Sequence, residues 1–254
     1  MSRLKLLVIA MIAAATTPAL SQPCPPPLEE ALRLVLVTAP DTESTSGALQ
    51  LFTRDAPSQS WTPASTPHPV KIGKHGLAWG LGFDAFKRGD EPEKVEGDKR
   101  TPAGIFRIGP SFGFVPAERP NYITVKPGET ICVEDPASTL YNTITERAQL
   151  APDVEADNIS DTSLFRNGLF VDYPSDRANK RGSCIFIHIW KTPDTATSGC
   201  VAMPEPQVKA LQQFAEVGAV LAIVPQTARD RFPACLPEMA TQTEQNAIGA
   251  GAER

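Results

Sequence analysis

The stretch "CIFIHIW" (184–190) constrains the fold more than any other part of the chain. Its side chains alternate in period two. Cys184, Phe186, His188 and Trp190 fall on one face, and Ile185, Ile187 and Ile189 on the other. Other short apolar runs read as strands too. "ALRLVLVT" (31–38) and "GALQLFTR" (47–54) make a hairpin about a Ser/Thr/Gly-rich turn. "VKIGKHGLAWGLGF" (70–83) breaks into strand edges and tight bends at its glycines, and "GIFRIG" is a further strand. "NYITVKPGETICVED" gives two short strands about a Pro-Gly turn, and "SLFRNGLFVDY" sets Asn167-Gly168 between apolar runs as a hairpin signal. Residues 55–69 hold four prolines and read as loop, His68 included, while 136–163 are polar and mixed and yield no element. One helix stands out. "PEPQVKALQQFAEVG" (204–218) opens with prolines, spaces Val208, Leu211 and Ala215 along one side, and stops at Gly218. "AVLAIV" (219–224) closes as a strand. The expectation is a mostly-β single domain with one clear helix packed against the sheet that carries His188.

The first residues bear on the compartment. A basic start (Arg3, Lys5), an apolar core from Leu6 to Ala15 and small residues at Ala19 and Ser21 have the layout of a secretory signal peptide over 1–21. The core is too short for a membrane span, so no stable membrane insertion is expected after cleavage. A Pro-rich entry segment follows over 22–30, then the domain over 31–236, then a polar, Gly/Ala-rich tail over 237–254 that reads as disordered. Losing Arg3 and Lys5 moves the formal net charge from −5 to −7. An acidic balance without a basic block argues against nucleic acid and anionic membrane surfaces as partners.

Three histidines and five cysteines limit the chemistry. Export permits disulfides, and an odd count leaves at least one thiol over. Cys200 in "TATSGCVAM" is a candidate nucleophile. A thiol attacks as the thiolate, and a free pKa of about 8.5 leaves little of it at neutral pH, so a base and a helix start nearby would help. His188 lies twelve positions upstream across a Pro/Thr/Ser loop, and the expected helix opens at Pro204, four residues after Cys200. Gly199 permits a turn that aims consecutive N–H groups inward, as an oxyanion hole requires. Spacing alone leaves open a disulfide or core thiol for Cys200 and a core histidine for His188. Cys184 competes on the same strand face, but four strand positions is roughly 13 Å, too far for direct proton transfer to His188. His75 reads as a surface-bend residue. Trp79 and Trp190 read as core packing or as groove lining.

Together these motifs resemble the L,D-transpeptidase catalytic domain (YkuD-type) family, in a secreted branch. "CIFIHIW" followed by "TSGCVAM" is similar to that family's strand histidine and Ser/Thr-x-Gly-Cys segment, and "GDKRTPAGIF" (97–106) to its Thr-Pro-x-Gly-x-Phe/Tyr strand. "GLAWGLG" and "GLFVDY" resemble further blocks. The resemblance implies a β-sandwich with the helix after the catalytic cysteine. It also implies a periplasmic acyltransferase acting on peptidoglycan stem peptides through a cysteine thioester. On it, Cys200 is the nucleophile, His188 the base, Gly199 and the Cys200 N–H the oxyanion donors, and Ser198 a group orienting the histidine. Thr101, Gly104 and Trp190 fall beside the substrate. No metal or organic cofactor is implied.

The chain also departs from that pattern. Ser198 stands where the family has a second histidine, Ala202 where it has an arginine, and Ile189-Trp190 where Gly-Thr follows the strand histidine. The alternatives are therefore a thioester hydrolase (an L,D-carboxypeptidase or amidase) and a non-catalytic wall-binding module. With Cys200 set aside, the other four cysteines allow three connectivities. Cys132–Cys184 and Cys24–Cys235 is the pairing taken here, the second clipping two Pro-flanked ends together. The run "GDEPEKVEGDKR" (89–100) reads as a solvated loop or as a flap beside the cleft that meets a zwitterionic peptide.

Overall fold

The computed structural model describes residues 24–215 and 218–239. The signal peptide expected over 1–21 and the tail from 240 onward lie outside the described residues.

Fourteen strands and one α-helix follow in chain order. They are β1 (Arg33–Ala39), β2 (Ser46–Thr53), β3 (Thr62–Pro63), β4 (His68–Lys71), β5 (Leu77–Trp79), β6 (Thr101–Gly113) and β7 (Tyr122–Thr124). Then come β8 (Thr130–Val133), β9 (Ile144–Glu146), β10 (Ala156–Asn158), β11 (Asn167–Asp172), β12 (Phe186–Ile189), β13 (Val201–Met203), α1 (Glu205–Ala215) and β14 (Val220–Pro225). The main sheet runs β1-β14-β6-β11-β12-β13-β4-β2-β3, with β5 and β7 added along β6. Because β2 also pairs with β1, the path returns on itself and closes around one core. A separate sheet, β10-β8-β9, sets β8, a strand expected in "NYITVKPGETICVED", between two short strands from the stretch 136–163 that the sequence left unassigned. The mostly-β domain with one helix is thus observed.

Burial explains the central strands. All six residues of β14 are buried, and β1 is buried from Leu34 onward; the two pair in parallel. A parallel pair covered on both faces takes a continuous apolar run, and "LVLVTA" beside "VLAIVP" is one. On β12 the alternation holds as expected: Ile185, Ile187 and Ile189 enter the main core, while Cys184 and Phe186 join a second cluster with Phe112, Phe165 and Phe170. The helix turns Val208 and Leu211 into the main core. Its buried Gln212 donates from Nε2 to the carbonyls of Phe112 and Gly168, each at 2.9 Å.

Two local expectations are corrected. Asn167-Gly168 is not a hairpin turn but the start of β11, antiparallel to both β6 and β12. The glycine is there for space, since a Cβ on Gly168 would lie 2.4 Å from Phe112 Cζ. His68 is not in a loop but opens β4, opposite Leu49 on β2. At Pro69 the other edge of β4 is unpaired, where a missing N–H costs no ladder bond. Both disulfides taken above are present. Cys24–Cys235 joins the two ends of the described chain, and Cys132–Cys184 ties the middle strand of the small sheet to the segment entering β12. Cys200 is the remaining free thiol among the described residues.

Candidate active site

The β12–β13 ladder brings the candidate residues together. The strands run parallel, with His188 in register with Ala202. Cys200 lies two residues before Ala202, just ahead of β13. Cys200, His188, Ser198, Gly199, Trp190 and Ala202 all line one cavity of about 710 Å³. A larger cavity, about 790 Å³, lies among Arg33, Arg54 and Arg107 and holds no nucleophile, so chemistry rather than size picks out the smaller one.

His188 is 7% exposed. Its Nδ1 lies 2.8 Å from the Ile189 carbonyl oxygen. A carbonyl only accepts, so Nδ1 carries the hydrogen and Nε2 is the bare, basic nitrogen. The Phe165 ring packs edge-on against the imidazole, with centroids 4.8 Å apart. Burial pulls the imidazole down to about 4, although the Ile189 bond works the other way. Burial likewise pushes the Cys200 thiol up to about 12, and the carboxylates of Asp157 and Glu134 add to it, against a bond from the Phe186 N–H. The pair therefore rests as thiol and neutral imidazole.

Backbone donors near Cys200 are unequal. Gly199 has φ +143°, and its N–H donates to Thr197 Oγ1 at 3.1 Å, which leaves the Cys200 N–H as the oxyanion candidate. Ser198 lies exposed on the lining, and the group that orients His188 is the Ile189 carbonyl. The helix start does not serve the thiol, because the three extended residues of β13 intervene and move it about 10 Å away.

Thr101 and Gly104 are not on the cavity lining. Thr101 is fully buried; its Oγ1 accepts from the Gly73 N–H at 2.9 Å and donates to the Cys200 carbonyl at 3.1 Å, so it supports the Cys200 backbone. Gly104, at φ +147°, packs against the Phe83 and Phe106 rings, where a Cβ would come within 3 Å of each. Trp79 is core, its Nε1 donating to Glu91.

Several lining residues escaped the sequence reading. Glu134, Glu155 and Asp157, from the small sheet and its flanks, join Glu96 in an acidic wall. Glu134 is pushed up to about 7, first by burial and then by the charges of Asp157, Glu96 and Glu155. No spacing in the sequence marks these carboxylates, which come from three separate segments. Part of the charged run borders the cavity, where Lys94, Glu96, Gly97 and Lys99 line it, while Gly89, Asp90, Glu93 and Val95 are exposed. Lys94 is buried against Asp98 at 2.7 Å. Among the described residues no group of three or more His, Cys, Asp or Glu is arranged to hold a metal ion, and no helix is long and apolar enough to cross a membrane.

A buried imidazole with one bare nitrogen, a lone thiol on the neighbouring strand and a free backbone N–H are what acyl transfer through a thioester requires. The fold is a mostly-β domain, and the cavity holds the groups that acyl transfer through a thiol would use. Residues 49–224 match the YkuD model, the L,D-transpeptidase catalytic domain, and the chain belongs to that family. That family supports an enzyme of the L,D-transpeptidase kind, with cysteine catalysis on peptidoglycan. No curated protein and no solved structure matches the chain.

Proposed function

We propose that the protein is an exported L,D-transpeptidase acting on peptidoglycan stem peptides, with Cys200 as nucleophile and His188 as base. The observation that carries this is that both line one cavity, His188 from β12 and Cys200 from just ahead of β13, with Nε2 left bare by the Nδ1 bond to Ile189. In the first half-reaction His188 Nε2 takes the thiol proton while sulfur bonds to the carbonyl carbon that joins the third residue to the terminal D-alanine. The Cys200 N–H faces the developing oxyanion. The C–N bond breaks, the leaving amine takes the proton from His188, and a thioester remains. In the second half-reaction an acceptor amine attacks the thioester carbonyl carbon, the C–S bond breaks, and the proton His188 takes from the amine passes on to the released thiolate.

Ser198 lies beside the pair as a polar group, and Trp190 supplies an apolar wall to the peptide. Lys99, Lys180 and Lys191 on the lining stand in for the positive charge that Ala202 lacks. Two disulfides support export to an oxidising compartment, for which the periplasm is proposed. The test is a tetrapeptide stem ending in D-alanine, offered with and without a stem bearing a free amine. Release of D-alanine with a cross-linked product supports transfer. Release without cross-linking favours the hydrolase, and no release with retained binding favours the wall-binding module.

A further inference from the structure

The segment 183–184 is held more firmly than a strand entry requires. Cys184 sits at φ +52°, a left-handed conformation that costs a non-glycine residue energy and persists only where its surroundings impose it. Its sulfur is bonded to Cys132. Its N–H donates to Asn142 Oδ1 at 2.9 Å, and Asn142, itself at φ +61°, donates from Nδ2 to the Tyr173 carbonyl at 2.8 Å. Ser183 Oγ donates to Glu96 at 2.7 Å, and the same carboxylate accepts from Tyr141. Three ties from different elements converge on two residues.

What they position is the sulfur of Cys200. Its Sγ lies 3.8 Å from the Cys184 carbonyl oxygen, and the Phe186 N–H bonds to it from the backbone. The β12–β13 ladder starts at Ile187 and Val201. The two strand-edge groups before that point, the Cys184 carbonyl and the Phe186 N–H, go to the thiol instead. One accepts from the S–H and the other donates to the sulfur.

We infer that Asn142 is a positioning residue for Cys200: together with the Cys132 bridge it fixes the left-handed Cys184 backbone, and so the carbonyl on which the thiol rests. This builds on Cys200 as the nucleophile proposed above. The small sheet is then part of the site, since Asn142 lies between β8 and β9 and Cys132 lies on β8.

The variants are Asn142→Gly and Asn142→Asp. Glycine adopts φ +61° at no cost but removes both side-chain bonds, whereas aspartate keeps an oxygen for the Cys184 N–H. Glycine leaves the charged and titratable groups around the thiol, His188, Glu134, Asp157 and Lys94, as they are, and aspartate adds one carboxylate, which by its charge slows labelling. The measurement is labelling of oxidised full-length protein by iodoacetamide from pH 7 to 10, read by intact mass. Asn142→Gly is expected to label about threefold faster at pH 8, the worth of one weak S–H···O contact holding the protonated form. Asn142→Asp is expected to label no faster than the unmodified protein. A glycine profile that superimposes on that of the unmodified protein, or an aspartate variant that labels faster than it, overturns the inference. If the glycine variant does not fold, Asn142→Ala, which also removes both side-chain bonds, makes the same comparison: labelling about threefold faster supports the inference and labelling no faster overturns it. Labelling needs no peptide substrate, so a failure of the proposed peptide chemistry registers separately.

Discussion

Thr101→Val tests how the Cys200 backbone is supported. Valine keeps the shape of a fully buried threonine and removes one hydroxyl. The Cys200 carbonyl keeps a partner, since Thr197 Oγ1 also donates to it at 2.6 Å. The Gly73 N–H has no such reserve: its acceptor at 2.9 Å is Thr101 Oγ1, and Gly73 is buried. Stranding one buried donor costs about 1–3 kcal/mol. At about 2–4 °C per kcal/mol for a chain of this size, the melting temperature should fall by roughly 4–8 °C around the middle of that range. Thermal unfolding followed by circular dichroism, with both disulfides intact, reads this directly. Steady-state kinetics on a stem peptide should show a lower kcat from the loosened Cys200 backbone and an unchanged KM, because Thr101 is not on the cavity lining. An unchanged melting temperature would refute the hydrogen-bond reasoning. A raised KM with intact stability would return Thr101 to the substrate.

The buried His188 makes the fold acid-sensitive. Its folded pKa of about 4 lies below the ordinary 6.5, so the unfolded chain binds the proton first and stability falls as pH drops from 6.5 towards 4. The loss approaches about 3 kcal/mol. Urea midpoints at pH 7 and pH 4.5 should therefore diverge more for the unmodified protein than for His188→Gln, and equal divergence would count against burial as the cause. Glu134 works in the opposite sense. Its pKa is raised from 4.5 to about 7, so its ionisation costs stability as pH rises through that window, a slope that Glu134→Gln should flatten. The same variant removes a charge that raises the Cys200 thiol, so iodoacetamide should label it faster at pH 8; unchanged labelling would mean the acidic wall does not reach the sulfur. Gly168→Ala forces a Cβ against Phe112 and should cost about 1–3 kcal/mol by overpacking, visible as a lower urea midpoint.

The legible parts of the chain were those in which one local pattern had one physical meaning. The period-two run 184–190 placed His188 on the cavity face and three isoleucines in the core because a strand has two faces and only one was apolar throughout. The helix after Cys200 announced itself by its prolines and by the spacing of Val208 and Leu211. What stayed hidden depended on partners distant in sequence. Asn167-Gly168 carries a turn signal, yet its glycine answers to Phe112 and Gln212, which no local pattern reveals. Thr101 sits in a recognisable motif, but its role is set by Gly73 and by Cys200, 99 positions away. Of the small sheet only β8 was legible, because its flanking strands are three residues long and come from a polar stretch that takes its order from pairing with β8. That sheet carries the acidic wall, so the electrostatics of the site were the least legible part of it.

The most direct test is acylation of the oxidised protein by a carbapenem, an acylating analogue for this family's nucleophile, followed by intact mass and peptide mapping. One adduct on Cys200, absent in Cys200→Ala and strongly slowed in His188→Ala, is the expected result. Failure of the unmodified protein to acylate, or equal acylation of Cys200→Ala, would contradict a thioester mechanism through Cys200.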